Sequence, residues 1–271
     1  LNLKMRSRLS IVLTKTGALA LTLTATLAAA PAAQALTFDP GKVPPRTQMT
    51  VRYADGNVAS TPNGHESRPA VSLVKLYLGM WVLKYGAPED KARVENMIRF
   101  SEDGTASDLE RKYPQAIPGI ISEYQLGETH HNGYWGQTTT STEDLARFLG
   151  AISTDPVAAP IMKGMSTAAP AASDGYRQDF GTAQIPGILG TKFGWSDDRQ
   201  VHATASFGPG YTVAANTYGS PGDLTADVLG AVDVSAPPAI PAPPAPPAPQ
   251  DLRDRACEEL KRIVPGSSHA C

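Results

Sequence analysis

Short segments rich in β-branched and aromatic residues, bounded by turn residues, predict strands at both ends of the folded part of this chain. The first is "MTVRYADGNVAS" (49–60), with a turn at Asp55-Gly56. The others are "HATASFG" and "YTVAANTYG", which are joined at Gly208-Pro209-Gly210. We therefore predict one β-hairpin near the start of the folded part and a second near its end.

Apolar residues recur at helical spacing between these strands. In "PEDKARVENMIRF" they place Val94, Met97 and Ile98 on one face. "STEDLARFLGAI" predicts another helix, capped by Ser141 or Thr142 and with acidic residues in its first turn. A third helix, predicted from about Pro69 with proline in its first turn, is apolar nearly all round, as buried helices are. Helices flanked by strands at both ends predict an α+β fold, with a five-stranded type of antiparallel sheet around the third helix.

The start of the chain differs in composition from this folded part. Lys4, Arg6 and Arg8 precede a short apolar stretch and the small residues "AQA", which predicts an export signal over residues 1–35 and a secreted or cell-envelope protein. The alternative is a retained membrane anchor, for which the apolar run is short. We predict no transmembrane segment after cleavage of the signal.

Removal of that signal makes the remaining chain acidic. It leaves 20 of the 24 Lys and Arg residues against 26 Asp and Glu, a formal charge of −6. An acidic surface carries no electrostatic footprint for nucleic acid, so we predict no nucleic-acid partner.

The end of the chain is predicted to be a stalked tail. The folded domain, residues 36–235, is followed by a Pro/Ala linker at 236–250, which predicts a semi-rigid polyproline II spacer. Residues 251–271 predict a short helix and contain Cys257 and Cys271, candidates for a disulfide in an exported protein. We expect deletion of residues 236–271 to leave the melting temperature of the domain nearly unchanged. The sequence does not indicate what the tail binds.

Ser72 and Lys75 form the candidate reactive pair of the domain. They lie three residues apart in "VSLVKLYLGMWVLKYG" (71–86), so on a helix they share one face. Burial lowers the pKa of a lysine, and a neutral amine beside a hydroxyl can accept its proton and activate a serine nucleophile. The alternative is a lysine that extends from the first helical turn into water.

Two further motifs follow in order, Ser101-Glu102-Asp103 and Lys192-Phe193-Gly194. Together with Ser72-x-x-Lys75, they resemble the S-x-x-K, S-D-N and K-T-G motifs of serine β-lactamases and penicillin-binding proteins. The flanking "MIRFSEDGTASDL" and "GQTTTSTEDLARFL" are also similar to that family, and the resemblance covers about residues 50–220. It implies the β-lactamase/transpeptidase-like fold, an antiparallel sheet flanked by helices, and no cofactor.

The resemblance also implies a role for each matching residue. Ser72 would be the acylated nucleophile, Lys75 its base, and Ser101 a proton relay. Lys192 would supply positive charge to the relay and to a substrate carboxylate. Backbone N–H groups of Ser72 and Trp195 would form an oxyanion hole. The implied substrate-binding residues are Asp103, Phe193, Gly194 and Trp195.

The chain departs from the family pattern at positions that matter for substrates. Asp103 stands where the family has asparagine, Phe193 stands where it has threonine or serine, and the segment between Lys75 and Ser101 is short. We expect slow acylation by common penicillins, preference for a less anionic acyl group, and a rate increase of at least about tenfold when Asp103→Asn is combined with Phe193→Thr.

Neither a deacylating glutamate nor a metal site can be recognised from the sequence. The E-x-x-L-N motif of class A enzymes is absent, and Glu123 and Glu128 are the only candidates ahead of the threonine run. "LGETHHNG" is somewhat more similar to D,D-carboxypeptidases. The adjacent histidines His130 and His131 lack a spaced third ligand, so we predict a plain loop and no metal.

These observations predict a serine acyl-enzyme hydrolase that acts on cell-wall peptides or β-lactams, either carboxypeptidase-like or β-lactamase-like. The alternative is a catalytically impaired protein of the same fold that serves as a binding or scaffolding module of the cell envelope.

Overall fold

The chain folds around a central antiparallel sheet with helices on both faces. The structure, a computed structural model, describes residues 35–235 and Glu259. The strands in chain order are β1 (Ala35–Phe38), β2 (Thr47–Tyr53), β3 (Val58–Ser60), β4 (Arg68–Pro69), β5 (Thr139–Thr140), β6 (Gly190–Trp195), β7 (Val201–Gly208), β8 (Tyr211–Tyr218) and β9 (Val232–Ser235). The helices are α1 (Lys75–Tyr85), α2 (Pro88–Lys91), α3 (Val94–Arg99), α4 (Asp103–Lys112), α5 (Ala116–Glu123), α6 (Thr142–Ile152), α7 (Ala159–Ser166) and α8 (Pro221–Ala231).

The central sheet joins strands from both ends of the folded part, as predicted. Its order is β3-β2-β8-β7-β6, and every neighbouring pair is antiparallel. Both predicted hairpins are present, and Gly210 adopts φ 82° in the turn between β7 and β8, a conformation that glycine accommodates without strain. Two short sheets, β1-β9 and β4-β5, complete the strand pairing. The predicted α+β class is confirmed.

Two apolar cores lie on opposite faces of the sheet. Because successive strand residues point to opposite faces, Ala214 of β8 packs with α1, whereas Val213 and Ala215 pack with Leu224 and Val228 of α8. Helix α1 is buried along almost its whole length at the centre of the first core. The edge strand β6 packs against the turn Val71–Val74 that leads into α1, and the candidate residues lie at this junction.

Two predicted element boundaries are wrong. Pro69 does not begin a helix but belongs to β4, where it pairs with Thr139. The helix predicted from Pro88 onward is two helices separated by Ala92 and Arg93, whose backbone N–H groups both donate to the Asp90 carbonyl oxygen in a tight turn. The Lys192-Phe193-Gly194 motif lies inside strand β6, which directly precedes β7 and β8.

Several predictions fall on residues outside those described. These are residues 1–34 of the predicted signal, the Pro/Ala linker, and the tail with Cys257 and Cys271. None of the helices found within residues 35–235 is long and apolar enough to cross a membrane.

Candidate active site

Ser72 lies in a strained turn at the start of the buried helix. It belongs to the 3₁₀ turn Val71–Val74, which runs directly into α1. Val71 has φ 46°, in the left-handed region that β-branched residues rarely adopt. Strand β6 packs tightly against this turn, since a Cβ at Gly194 would lie 2.4 Å from Val71 Cγ2. Such strain persists only where the surroundings over-determine the backbone, and it concentrates at functional sites.

Lys75 is completely buried and points its amine at Ser72. Its Nζ donates to Ser72 Oγ at 2.8 Å, to the Ser101 carbonyl at 3.0 Å and to Ser101 Oγ at 3.3 Å. It also makes a close ion pair with the Asp103 carboxylate, and it lies 4.6 Å from the centre of the Trp135 ring. An ammonium has three donor hydrogens, so these acceptors use all of them.

Ser101 connects Lys75 to the second buried lysine. It lies two residues after the end of α3 and adopts φ 54°, and its carbonyl oxygen accepts from Lys75 Nζ. Its hydroxyl oxygen accepts from Lys192 Nζ at 2.7 Å, and Lys192 also donates to the Phe193 carbonyl at 3.0 Å. The structure thus brings the four residues proposed as catalytic into one chain of hydrogen bonds: Ser72, Lys75, Ser101 and Lys192.

Burial lowers the pKa of both lysines. Desolvation lowers the pKa of Lys75, and the Asp103 carboxylate raises it in part. The pKa of Lys192 lies well below its usual value, first because of burial and then because a charged Lys75 repels it. A buried amine with a lowered pKa is a competent proton acceptor for the neighbouring Ser72 hydroxyl.

Asp103 and Phe193, both predicted to bind substrate, differ in their position relative to the cleft. Asp103 lines the cleft, and its carboxylate bonds to the Lys75 amine. The Phe193 ring is turned into the second core, where it packs edge-to-face on Phe180 with ring centroids 5.3 Å apart. Phe193 is 2% exposed and is not among the residues that line the cleft.

Gly194 and Trp195 bring the open edge of β6 to Ser72. A Cβ at Gly194 would lie 3.0 Å from the Ser72 nitrogen, so the two backbones are nearly in contact. Ser196 N–H donates to Val201 O of β7 at 2.9 Å. Because neighbouring N–H groups alternate in direction along an antiparallel strand, the Trp195 N–H points away from β7 and toward this open edge.

The cleft above Ser72 is walled by residues that the sequence motifs did not identify. Its volume is about 380 Å³ and its walls include Tyr134, Trp135, Asp174 and Asp197. Trp135 is held in place because its N–H donates to the buried Glu110 Oε2 at 2.9 Å and its Nε1–H donates to Ser107 Oγ at 3.0 Å. The aromatic pair in "NGYWGQTTT", which follows a turn at Gly133 (φ 97°), is the sequence feature from which this part of the wall could have been predicted.

The candidates for a deacylating glutamate lie away from the cleft. Glu123 forms an ion pair with Lys84, and the backbone N–H of Glu128 donates to Asp144 Oδ2 at 2.8 Å. His131 lies 3.6 Å from Glu110 Oε1, and burial lowers its pKa. Across residues 35–235 and Glu259, no group of three or more His, Cys, Asp or Glu side chains is arranged to hold a metal ion.

Comparison with solved structures shows the fold of this chain. It is similar to a β-lactamase from Sphaerobacter thermophilus DSM 20745 (TM-score 0.54, 13% identity, covering 68% of this chain and 89% of that one). It is also similar to an ancestral (GNCA) class A β-lactamase (TM-score 0.55, 16% identity, covering 70% of this chain and 92% of that one). The β-lactamase from Streptomyces albus G is similar as well (TM-score 0.55, 14% identity, covering 68% of this chain and 92% of that one).

The fold is therefore that of the class A serine β-lactamases. No protein-family model and no curated protein matches the chain. At these identities the structural likeness establishes the fold alone, so the chemistry has to be argued from the residues of this cleft.

Proposed function

We propose that this protein is an exported serine hydrolase that forms an acyl-enzyme on Ser72. The observation that carries the proposal is the chain of hydrogen bonds from Ser72 Oγ through Lys75 and Ser101 to Lys192, buried beneath an open cleft. A hydroxyl 2.8 Å from a desolvated amine is the arrangement that a serine nucleophile without histidine requires.

Each residue of this chain has a defined step in the proposed mechanism. Neutral Lys75 accepts the Ser72 proton while Ser72 Oγ attacks the acyl carbonyl. The N–H groups of Ser72 and Trp195 stabilise the negative charge that develops on the carbonyl oxygen. The Ser101 hydroxyl then passes a proton to the leaving group, and Lys192 holds Ser101 in position. A water molecule, activated by the same amine, releases the acyl group from Ser72.

The proposed substrates are cell-wall peptides or β-lactams. Both present an acyl carbonyl that a serine can attack, and an exported location at the cell envelope would give access to them. The fold of the class A β-lactamases supports a small-molecule or peptide substrate in this cleft.

A catalytically impaired binding module is the second candidate, and the Asp103 ion pair favours it. A carboxylate in contact with Lys75 stabilises the ammonium form, which cannot accept a proton from Ser72. The two candidates differ in one observable: only the enzyme becomes covalently acylated on Ser72.

Covalent labelling tests the proposal directly. The protein is incubated for hours with a fluorescent penicillin over a range of pH, and the adduct is measured by gel fluorescence, intact mass and peptide mapping. We expect one adduct on Ser72, lost in Ser72→Ala and retained in Ser122→Ala, a control at an exposed serine of α5. Absence of an adduct with every acyl donor tried, at every pH, would support the impaired module.

A further inference from the structure

The residues that line the cleft over Ser72 carry negative charge. Three of its twelve described lining residues are aspartates, Asp103, Asp174 and Asp197, and none is lysine, arginine or histidine. A cleft lined by charge of one sign concentrates ligands of the opposite sign and repels those of the same sign. An acyl donor with a carboxylate near the reacting bond would therefore meet repulsion.

The two lysines beneath the cleft are not accessible to a ligand. Lys75 is 0% exposed and Lys192 is 1% exposed. Both amines are engaged by protein oxygens: Lys75 by Ser72, Ser101 and Asp103, and Lys192 by Ser101 and the Phe193 carbonyl. They serve the nucleophile and the relay.

The three aspartates are available to different extents. Asp174 accepts from Trp195 Nε1 at 3.1 Å and lies 3.6 Å from Arg199, so its charge is largely balanced. Asp103 is occupied by Lys75, although its side chain is 66% exposed. Asp197 is exposed, and among the described residues it has neither an ion pair nor a side-chain hydrogen bond. Asp197 is therefore the carboxylate free to bind a ligand.

Aromatic side chains lie around the same opening. The rings of Tyr134, Trp135 and Trp195 line the cleft, and Tyr134 is 47% exposed. Aromatic faces attract cations, and alkylammonium groups are also compatible with their apolar surface. Carboxylates and aromatic rings together favour ligands that carry an alkylammonium group.

We infer that the cleft selects acyl donors that carry an ammonium group near the reacting carbonyl, such as amine-bearing peptides, with Asp197 as the group that determines this specificity. The inference rests on the proposed function, since it names the substrate class of the same Ser72 site. It also explains why a hydroxyl to hold a substrate carboxylate is absent: the Phe193 side chain at that position is buried in the second core.

A matched series of acyl donors tests the inference. Three thioesters share one acyl group and have leaving groups of equal length that end in an ammonium, a primary amide or a carboxylate. The second-order rate constant for acylation of Ser72 is measured by intact mass. We expect the ammonium donor to react at least about tenfold faster than the carboxylate donor, with a ratio that falls as salt screens the cleft.

Two variants assign the preference to the cleft. Asp197→Asn should reduce the ammonium-to-carboxylate ratio severalfold, whereas Asp233→Asn, at an exposed position of β9 outside the cleft, should leave it unchanged. Equal or faster reaction of the carboxylate donor would overturn the inference. An unchanged ratio in Asp197→Asn would also overturn the role of that residue.

The experiment separates this inference from the proposed function. If no donor acylates Ser72, the proposed function fails, and binding is measured instead with the unreactive amide analogues of the three donors, by quenching of Trp135 and Trp195 fluorescence. Tighter binding of the ammonium analogue, weakened by Asp197→Asn, would then support the charge preference. Tighter binding of the carboxylate analogue would overturn it.

Discussion

Asp103→Asn tests whether the Asp103 carboxylate restrains Lys75 as a base. The substitution keeps the size and shape of the side chain but removes the negative charge that contacts the Lys75 ammonium. Two unit charges about 4 Å apart interact by roughly 4 kcal/mol at the effective dielectric of a protein surface. The Asp103 side chain is 66% exposed, so solvent screening leaves about a third of this value, ~1.4 kcal/mol.

That free energy determines both the size and the pH dependence of the expected effect. Asp103 favours the ammonium form, so its removal lowers the pKa of Lys75, and ~1.4 kcal/mol corresponds to about tenfold more neutral amine at any pH below that pKa. Acylation needs the neutral amine, so its rate should rise about tenfold on the acidic side of the profile. The two proteins should converge at high pH, where Lys75 is neutral in both.

The assay is the rate of acylation by a neutral thioester across pH, because an uncharged donor separates the Lys75 effect from charge repulsion in the cleft. Glu102→Gln is the matched control: it removes a neighbouring acid that raises the pKa of Lys75 least among the contributing groups. It should shift the profile much less. A rate gain that is the same at every pH, or a slower Asp103→Asn variant, would refute this role of Asp103.

Three further substitutions test the placement of the site. Phe193→Thr should lower the free energy of unfolding by about 3 kcal/mol in urea, because it removes a ring buried against Phe180; unchanged stability would contradict that packing. Ser101→Ala should slow acylation by about 10²- to 10⁴-fold, since both lysines lose the hydroxyl that joins them, and an unaltered rate would exclude the relay. Gly194→Ala should slow acylation by about 10²-fold, because the added Cβ would displace β6 from Ser72. Gly230→Ala, whose Cβ would meet nothing within 4 Å, is the control. Equal acylation rates of the two variants would contradict the oxyanion site.

The Phe193 prediction also changes what can be expected of the double substitution. The sequence predicted that Asp103→Asn with Phe193→Thr would restore a more ordinary site. Because Phe193 points into the second core, a threonine there would leave a void and place a hydroxyl in apolar surroundings. We now expect the gain in acylation to come from Asp103→Asn alone, and the double variant to be less stable than the single one.

Local sequence was sufficient for several features of this protein. The spacing of Ser72 and Lys75 placed them on one face, and the apolar run after Lys75 required that helix to be buried. The hairpins could be predicted from turn residues between strand-like segments, and the order of the three motifs pointed to the fold. These features depend on residues close together in the chain, so a short window contains their physical cause.

The tertiary structure decided what surrounds the reactive pair. The left-handed backbone at Ser101 directs its carbonyl to Lys75, and packing of distant segments brings Asp103 to the same amine and Trp135 over it. Whether Phe193 would face substrate or core depended on how β6 lies between two apolar layers. The acidic cleft likewise forms only when Asp103, Asp174 and Asp197 converge, because a local pattern of residues carries no information on which distant charges will share one cleft.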